Sequence, residues 1–277
     1  MVVNTGDDIE LFGLHISPDL DIVAYTLAGI VDEAKGWGIR GDSFHCLEML
    51  KKYSQDTWFA LGDRDFATHI YRTDRLRQGL TLTQVTDEVR RALGLKMRIL
   101  PMTDDKFETR IRIKEGSIHF EEYMVKRQAK DEVLGVELVG SATAKPAPQV
   151  IEAILDAETV VVCPSNPIVS IGTILAVEGV RDALRRTSAR VVAVSPIVAG
   201  APVKGPADKL LRGLGLEVSA YGVAKLYADF LDTMVIDVAD AGEKGRIEQL
   251  GLKVRVTNTI MKSLADKVAL AQAVLEG

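Results

Sequence analysis

The sequence predicts an α/β protein, a doubly wound, Rossmann-like parallel sheet with a large, mainly helical insertion that contains a β-hairpin. Three observations predict it. Short β-branched runs ("TVVV", "RVVAV", "MVIDV", "KVRVT") recur through the second half, each followed by a stretch of helical period. Strands alternating with helices imply parallel strands joined by right-handed crossovers. The chain has 277 residues, 47% of them hydrophobic, enough for a sizeable core.

Taken in order, residues 1–5 read as one strand of that sheet, and "PDLDIVAYTLAGIVD" as a helix after its Pro-Asp start. Residues 36–106 hold several helical stretches, "TLTQVTDEVRRAL" among them. "ETRIRIKEGSIHFEEYMV" alternates on either side of Glu115-Gly116, the pattern of a hairpin. "SATAKPAPQ" reads as a linker. Beyond it come a strand in "ETVVVCP", helix-period sequence in "TILAVEGVRDALRRT", and a strand in "ARVVAVSP". "GPADKLLRGLG" reads as a helix with Pro206 near its start and a glycine stop. Helix "VAKLYADFLDT", strand "MVIDV", helix "AGEKGRIEQLG", strand "KVRVT" and helix "SLADKVALAQAVLE" complete the chain. The expected division is an α/β core of 1–35 with 151–277, and an insertion of 36–150.

Bulk properties narrow the function. A net charge of −5 and a pI of about 5.5 disfavour general nucleic-acid binding. Aromatics at 5% argue against a base-stacking platform. Cys46 and Cys163 lie far apart without CxxC spacing, which fits a reducing cytoplasm rather than a disulfide framework or a zinc site. The apolar runs are too short to span a bilayer, and the first residues do not read as a signal peptide. Neither nucleic acid nor membrane is an expected partner.

Ligands of an open parallel sheet bind beyond the carboxyl ends of its strands. That rule selects "NTGDD", "CPSNPIVSIGT", "SPIVAGAPVKGPADK" and "DVADAGEK". The loops at 164–173 and 195–206 lead into helix starts, where free N–H groups favour phosphate. Ser165, Asn166, Ser170 and Gly205 are candidate phosphate contacts, and ordinary capping is the competing reading. Gly200 and Gly205 have Walker A spacing, but Pro206-Ala207 stand where Lys and Ser/Thr belong. No strand is followed by G-x-G-x-x-G, and no G-x-S-x-G elbow occurs. Carboxylates recur at Asp7, Asp8, Asp19, Asp21, Asp63, Asp65, Asp104 and Asp105. With a diphosphate substrate such residues point to magnesium, which takes one or two carboxylates plus phosphate oxygens and water. Asp7, Asp8 and Asp63 are the expected metal-holding and catalytic residues, while Asp74 and Asp87 read as turn or capping residues. The four histidines lack metal-ligand spacing, and His69 reads as a hydrogen-bonding residue rather than a base.

"VVNTGDD", "ISPDLD", "LGDRDFATHIYRT", "LPMTDD", "CPSNPIVSIGTIL", "VAVSPIVAGAPVKGPADKL" and "DFLDTMVID" occur in this order over nearly the whole chain. Together they resemble the 2-phospho-L-lactate transferase family of coenzyme F420 biosynthesis. The resemblance implies attack by 7,8-didemethyl-8-hydroxy-5-deazariboflavin on a lactyl- or enolpyruvyl-diphospho-5'-guanosine donor. GMP leaves, a phosphodiester forms, and magnesium assists. It also implies that Asp21, the last aspartate of "SPDLD", contacts the deazaflavin. Ala60 stands where archaeal relatives often carry a basic deazaflavin contact. Asp65, Thr68 and His69 of "LGDRDFATH" are further candidate substrate contacts, and a homodimer is the expected assembly. Family members begin with a strand and a GGTGT-type loop before "VVNTGDD", so a βα segment of roughly 30 residues is expected to be missing. The competing readings are a nucleotide-sugar-binding regulatory protein of the same superfamily and an inactive truncated relative.

Overall fold

A computed structural model describes residues 1–276. It divides into two compact units. One comprises Met1–Arg110, Ile118–Asp131 and Leu138–Val150; the other comprises Ile111–Ser117, Glu132–Glu137 and the chain from Ile151 onward. Residues 1–35 therefore group with 36–110, a different division from the one expected from sequence.

The first unit opens with β1 (Val2–Val3), a hairpin of β2 (Ile9–Leu11) and β3 (Leu14–Ile16), and α1 (Pro18–Leu27). It continues through α2 (His45–Lys52), α3 (Asp63–Arg77), α4 (Leu82–Ala92) and β4 (Leu100–Pro101). β1 pairs in parallel with β4 and not with the strands of the second half, which corrects the expectation for residues 1–5. Leu100 N donates to Met1 O and Met102 N to Val3 O, each at 2.8 Å. Pro101, which has no N–H, falls between these two donors and costs the ladder nothing. Val3, Leu20, Ala24, Leu82 and Ile99 pack into one core cluster. The β2–β3 turn is Phe12-Gly13, both with positive φ (55° and 71°), the handedness that matches hairpin twist. Phe12 tolerates this conformation while its ring packs 6.2 Å from Phe66.

The predicted hairpin is present as β5 (Glu108–Ile113) and β6 (Gly116–His119), and β7 (Gly135–Val139) pairs on the other side of β5. A single wide turn of helix, Glu122–Lys126, follows β6. "SATAKPAPQ" is no loose linker. Ala144 and Ala147 are buried, Ala147 N donates to Met102 O (3.1 Å), and Lys145 N donates to Asp105 Oδ2 (2.8 Å).

Helix α5 (Val150–Leu155) leads into the second unit. Its centre is a parallel sheet of β8 (Thr159–Val162), β9 (Arg190–Val194), β12 (Thr233–Asp237) and β13 (Lys253–Thr257), in the order 13-12-9-8. The helix-period stretch after β8 forms two helices, α6 (Ile171–Ala176) and α7 (Val180–Arg186). They are separated by extended Val177 and by Gly179, whose φ of +77° side chains avoid. A two-residue-strand hairpin, β10 (Ile197–Val198) and β11 (Ala201–Pro202), precedes α8 (Ala207–Gly213) and α9 (Ala220–Tyr227). The helix expected after β12 begins as a tight 3-10 segment, Val238–Glu243, and becomes α10 (Lys244–Glu248). The last helix, α11 (Leu264–Leu275), packs Leu270 and Val274 on Val192, Val194 and Val235.

Candidate active site

The loop after β1 is built around Asn4. Its Oδ1 accepts from Gly6 N (2.8 Å), and its Nδ2 donates to Asp7 Oδ2 (3.0 Å) and Asp19 Oδ2 (2.7 Å). One amide thus joins the loop to the first turn of α1. Asp8 Oδ2 meets His15 Nε2 (3.0 Å) and accepts from the Ser17 hydroxyl (2.7 Å). Ser17 precedes α1 but spends its hydroxyl on Asp8 instead of capping the helix. The β2–β3 register sets Glu10 opposite His15, so His15 Nδ1 reaches Glu10 at 3.0 Å.

Asp7, Asp8, Asp19 and Glu121 crowd together. Burial, then the charges of Asp19 and Glu121, push the Asp7 carboxyl well above its usual range. Burial, then Asp19 and Asp8, push Glu121 up to about 8, and burial pushes Asp19 to about 6 despite Asn4. Burial also raises Asp8, against the pull of His15 and Ser17. Burial alone would lower His15, but its bond to Asp8 outweighs that and raises its pKa. Oδ1 of Asp7 and Oδ1 of Asp8 are buried without a hydrogen-bond partner.

Two cavities meet this cluster. One, of about 590 Å³, is lined by Thr5, Asp8, His15, Asp104, Lys106 and His119 among others. The second, of about 430 Å³, holds Asp19 and Glu121 with Asp21, Asp65 and His69, between aromatic Tyr25, Trp37 and Phe59. Ala60 lines it too. Its polar wall is tightly wired. Arg72, buried on α3, grips both oxygens of Asp21, and its Nη1 lies 3.2 Å from His69 Nδ1. Tyr25 donates to Asp65 Oδ1 (2.9 Å) and approaches Thr68 Oγ1 at 2.8 Å. Burial, then Asp21, raises Asp65 to about 7.

Asp63 is not brought into the carboxylate cluster. It accepts from Ser43 Oγ (2.7 Å), His45 N (3.2 Å) and Cys46 N (2.9 Å), capping the start of α2, and these bonds hold its carboxyl below its usual range. Asp42, in return, accepts from Arg64 N and Asp65 N at the start of α3. Two helix starts therefore clasp each other through their aspartates. Asp74 and Asp87 sit inside helices, bonded to Gln78 and to Arg90 and Arg91.

In the second unit, Asn166 Oδ1 accepts from Ile168 N (3.0 Å) and Val169 N (3.3 Å), a local turn. Ser165 and Ser170 flank it, Ser170 preceding α6 without a side-chain cap. Gly205, φ +77°, stands in the loop before α8. Asn4, His15, Tyr25, Arg72 and Glu121 were not singled out from sequence. Glu121 follows a hairpin and Arg72 lies mid-helix, so neither belongs to a strand-end loop.

Among the described residues, no set of three or more His, Cys, Asp or Glu side chains converges as it stands to hold a metal ion. The donor chemistry nonetheless fits a hard divalent cation. Two orphaned carboxylate oxygens on adjacent residues suit magnesium, which needs only one or two protein carboxylates.

Fold and site together define an α/β protein with crowded carboxylates beside a polar and an aromatic cavity. The profile of the 2-phospho-L-lactate transferase CofD family matches residues 1–266. The chain belongs to that family. It is 45% identical to a phosphoenolpyruvate transferase of Streptomyces griseus, over all of this chain and 89% of that protein. It is 41% identical to a 2-phospho-L-lactate transferase of Methanosarcina mazei, over all of this chain and 90% of that one. The fold also resembles the crystal structure of protein BH3568 from Bacillus halodurans (TM-score 0.62, 14% identity, 99% of this chain and 90% of that one). No helix among the described residues is long and apolar enough to cross a membrane.

Proposed function

We propose that this chain transfers a 2-phospholactyl or phosphoenolpyruvyl group from its diphospho-5'-guanosine carrier to 7,8-didemethyl-8-hydroxy-5-deazariboflavin, with release of GMP. Family membership and the names of its relatives support the transferase class. The single observation that carries the site assignment is the carboxylate cluster whose members line two different cavities. The aromatic cavity takes the deazaflavin, and the polar cavity is the approach for the phosphorylated donor.

Phosphoryl transfer depends on position and on charge neutralisation. Asp7 and Asp8, with Asp19 and Glu121 beside them, would hold magnesium, which when bound neutralises charge on the diphosphate. Asn4 fixes Asp7 and Asp19 relative to one another, and His15 and Ser17 fix Asp8. Tyr25, Trp37 and Phe59 give the acceptor ring apolar surfaces and keep water from its alcohol arm. The attacking hydroxyl displaces GMP at the phosphorus that carries the acyl group.

The test measures GMP release with each donor, with and without the deazaflavin. Release that requires both the deazaflavin and magnesium supports the reading. Binding of a UDP-sugar without binding of the deazaflavin would replace it with the regulatory alternative.

A further inference from the structure

The two oxygens of Asp65 have different surroundings. Oδ1 accepts the Tyr25 hydroxyl at 2.9 Å and lies 3.7 Å from His69 Nε2. Oδ2 lies on the side of Gly38, where a Cβ would sit 3.9 Å from it, and Gly38 lines the same aromatic cavity. The tautomer of His69 follows from its neighbours. Arg72 has only donors, and its Nη1 is 3.2 Å from His69 Nδ1. Nδ1 therefore accepts, and the single proton of the neutral ring sits on Nε2. Burial, only partly offset by Asp21, lowers the His69 pKa to about 4, so the ring stays neutral near pH 7. Asp21 in turn holds Arg72 by both guanidinium arms. The Tyr25 O–H thus points at Oδ1, His69 Nε2 is buried without a hydrogen-bond partner, and Oδ2 is the oxygen turned to the cavity.

We propose that Asp65 is a specificity-determining residue of this cavity: Oδ2 accepts a hydrogen bond from a ring-edge N–H or O–H of a planar heteroaromatic acceptor, while Tyr25 pins Oδ1. This rests on the assignment of the aromatic cavity to the acceptor. Above about pH 7, where Asp65 is ionised, a carboxylate with one oxygen already pinned rejects a ring edge that offers only a carbonyl or a methyl group. Rejection is strong because the acceptor oxygen would then be enclosed without a partner.

The experiment is a fluorescence titration, at about pH 8.5 so that Asp65 is ionised, of wild type, Asp65→Asn and Tyr25→Phe with the deazaflavin and two analogues. One analogue is methylated at the ring imide nitrogen, the other at the ring hydroxyl. Wild type should bind one analogue about 10- to 100-fold more weakly than the parent. In Asp65→Asn the amide oxygen stays with Tyr25 and the NH₂ faces the ring edge. That variant should lose a similar factor for the parent and little further for the sensitive analogue. Unweakened binding of both analogues, or equal losses for parent and analogues in Asp65→Asn, overturns the proposal. If thermal melting shows Asp65→Asn unfolded, Tyr25→Phe makes the same comparison, with a few-fold loss confined to the parent. Nitrogen NMR of His69 in the free protein reads the wall of the cavity separately. A proton on Nε2 is expected from the Arg72 contact at Nδ1, and a proton on Nδ1 overturns that geometry whatever the acceptor is. A wild type that binds no deazaflavin overturns the functional reading and the ring-edge contact with it, while the NMR result still stands.

Discussion

At the scale of single residues, Arg72 carries the largest expectation. It is charged, buried and paired with a buried carboxylate, Asp21. Removing one partner of such a pair leaves the other desolvated and alone, which costs about 3–5 kcal/mol. Arg72→Met should lower stability by about that amount in a denaturant titration, whereas Arg75→Met, which breaks a half-exposed pair with Glu88, should cost about 1 kcal/mol or less. Part of the candidate site was legible from residue type and motif. Asp7 and Asp8 stood out as adjacent acids in a strand-end loop, Asp21, Asp65 and His69 fell within recognisable motifs, and Ala60 immediately precedes one of them. The structure places the last four on one cavity. Asp63 shows where residue type misleads. An aspartate at a helix start caps amides as readily as it binds a cation, and only its surroundings separate the two.

At the scale of elements, the helices ending and beginning around residues 42–63 depend on that capping. Asp63→Ala should lower the melting temperature, because the His45 and Cys46 amides lose their acceptor. The magnesium concentration giving half-maximal turnover should stay unchanged; a large shift would return Asp63 to the metal site. Strands and helices of strong period were readable from sequence. β9 and β12, central in the sheet, are apolar runs buried along almost their whole length, while β8 and β13 at its edges are partly exposed. The β2–β3 hairpin was not readable. Its turn is Phe-Gly, without the Asn or Asp that usually marks two positive φ angles, and its strands are three residues each. The break between α6 and α7 was hidden because Val177 and Val180 continue the helical period across it.

At the scale of the whole molecule, the crowded carboxylates set a dependence of stability on pH. Glu121, Asp65 and Asp19 have pKa values raised to about 8, 7 and 6. Between their ordinary values and these, the folded chain holds more protons than the unfolded one. Stability therefore falls as pH rises through that window. The chelated protein should melt at progressively lower temperature from about pH 5 to about pH 8, and less steeply in Glu121→Gln. Magnesium added at the upper end should restore part of the loss, because a cation bound only by the folded state stabilises it. A chelated protein that gains stability with pH over this range would contradict the crowding. The α/β class and its sheet could be read from periodicity along the chain. The grouping of the opening residues could not, because it depends on the long-range pairing of β1 with β4, a contact with no local signature.

The mutual clasp of Asp42 and Asp63 has a kinetic meaning. Loop residues 36–38 and the α3 side chains Asp65 and His69 line the same cavity, and the two aspartates bond across the starts of α2 and α3. Neither helix start can fray without releasing the acceptor that covers the other. This segment should therefore open as one cooperative unit rather than residue by residue. In hydrogen exchange, the amides of Cys46 and Arg64 should share one opening free energy, and Asp42→Ala should speed both together.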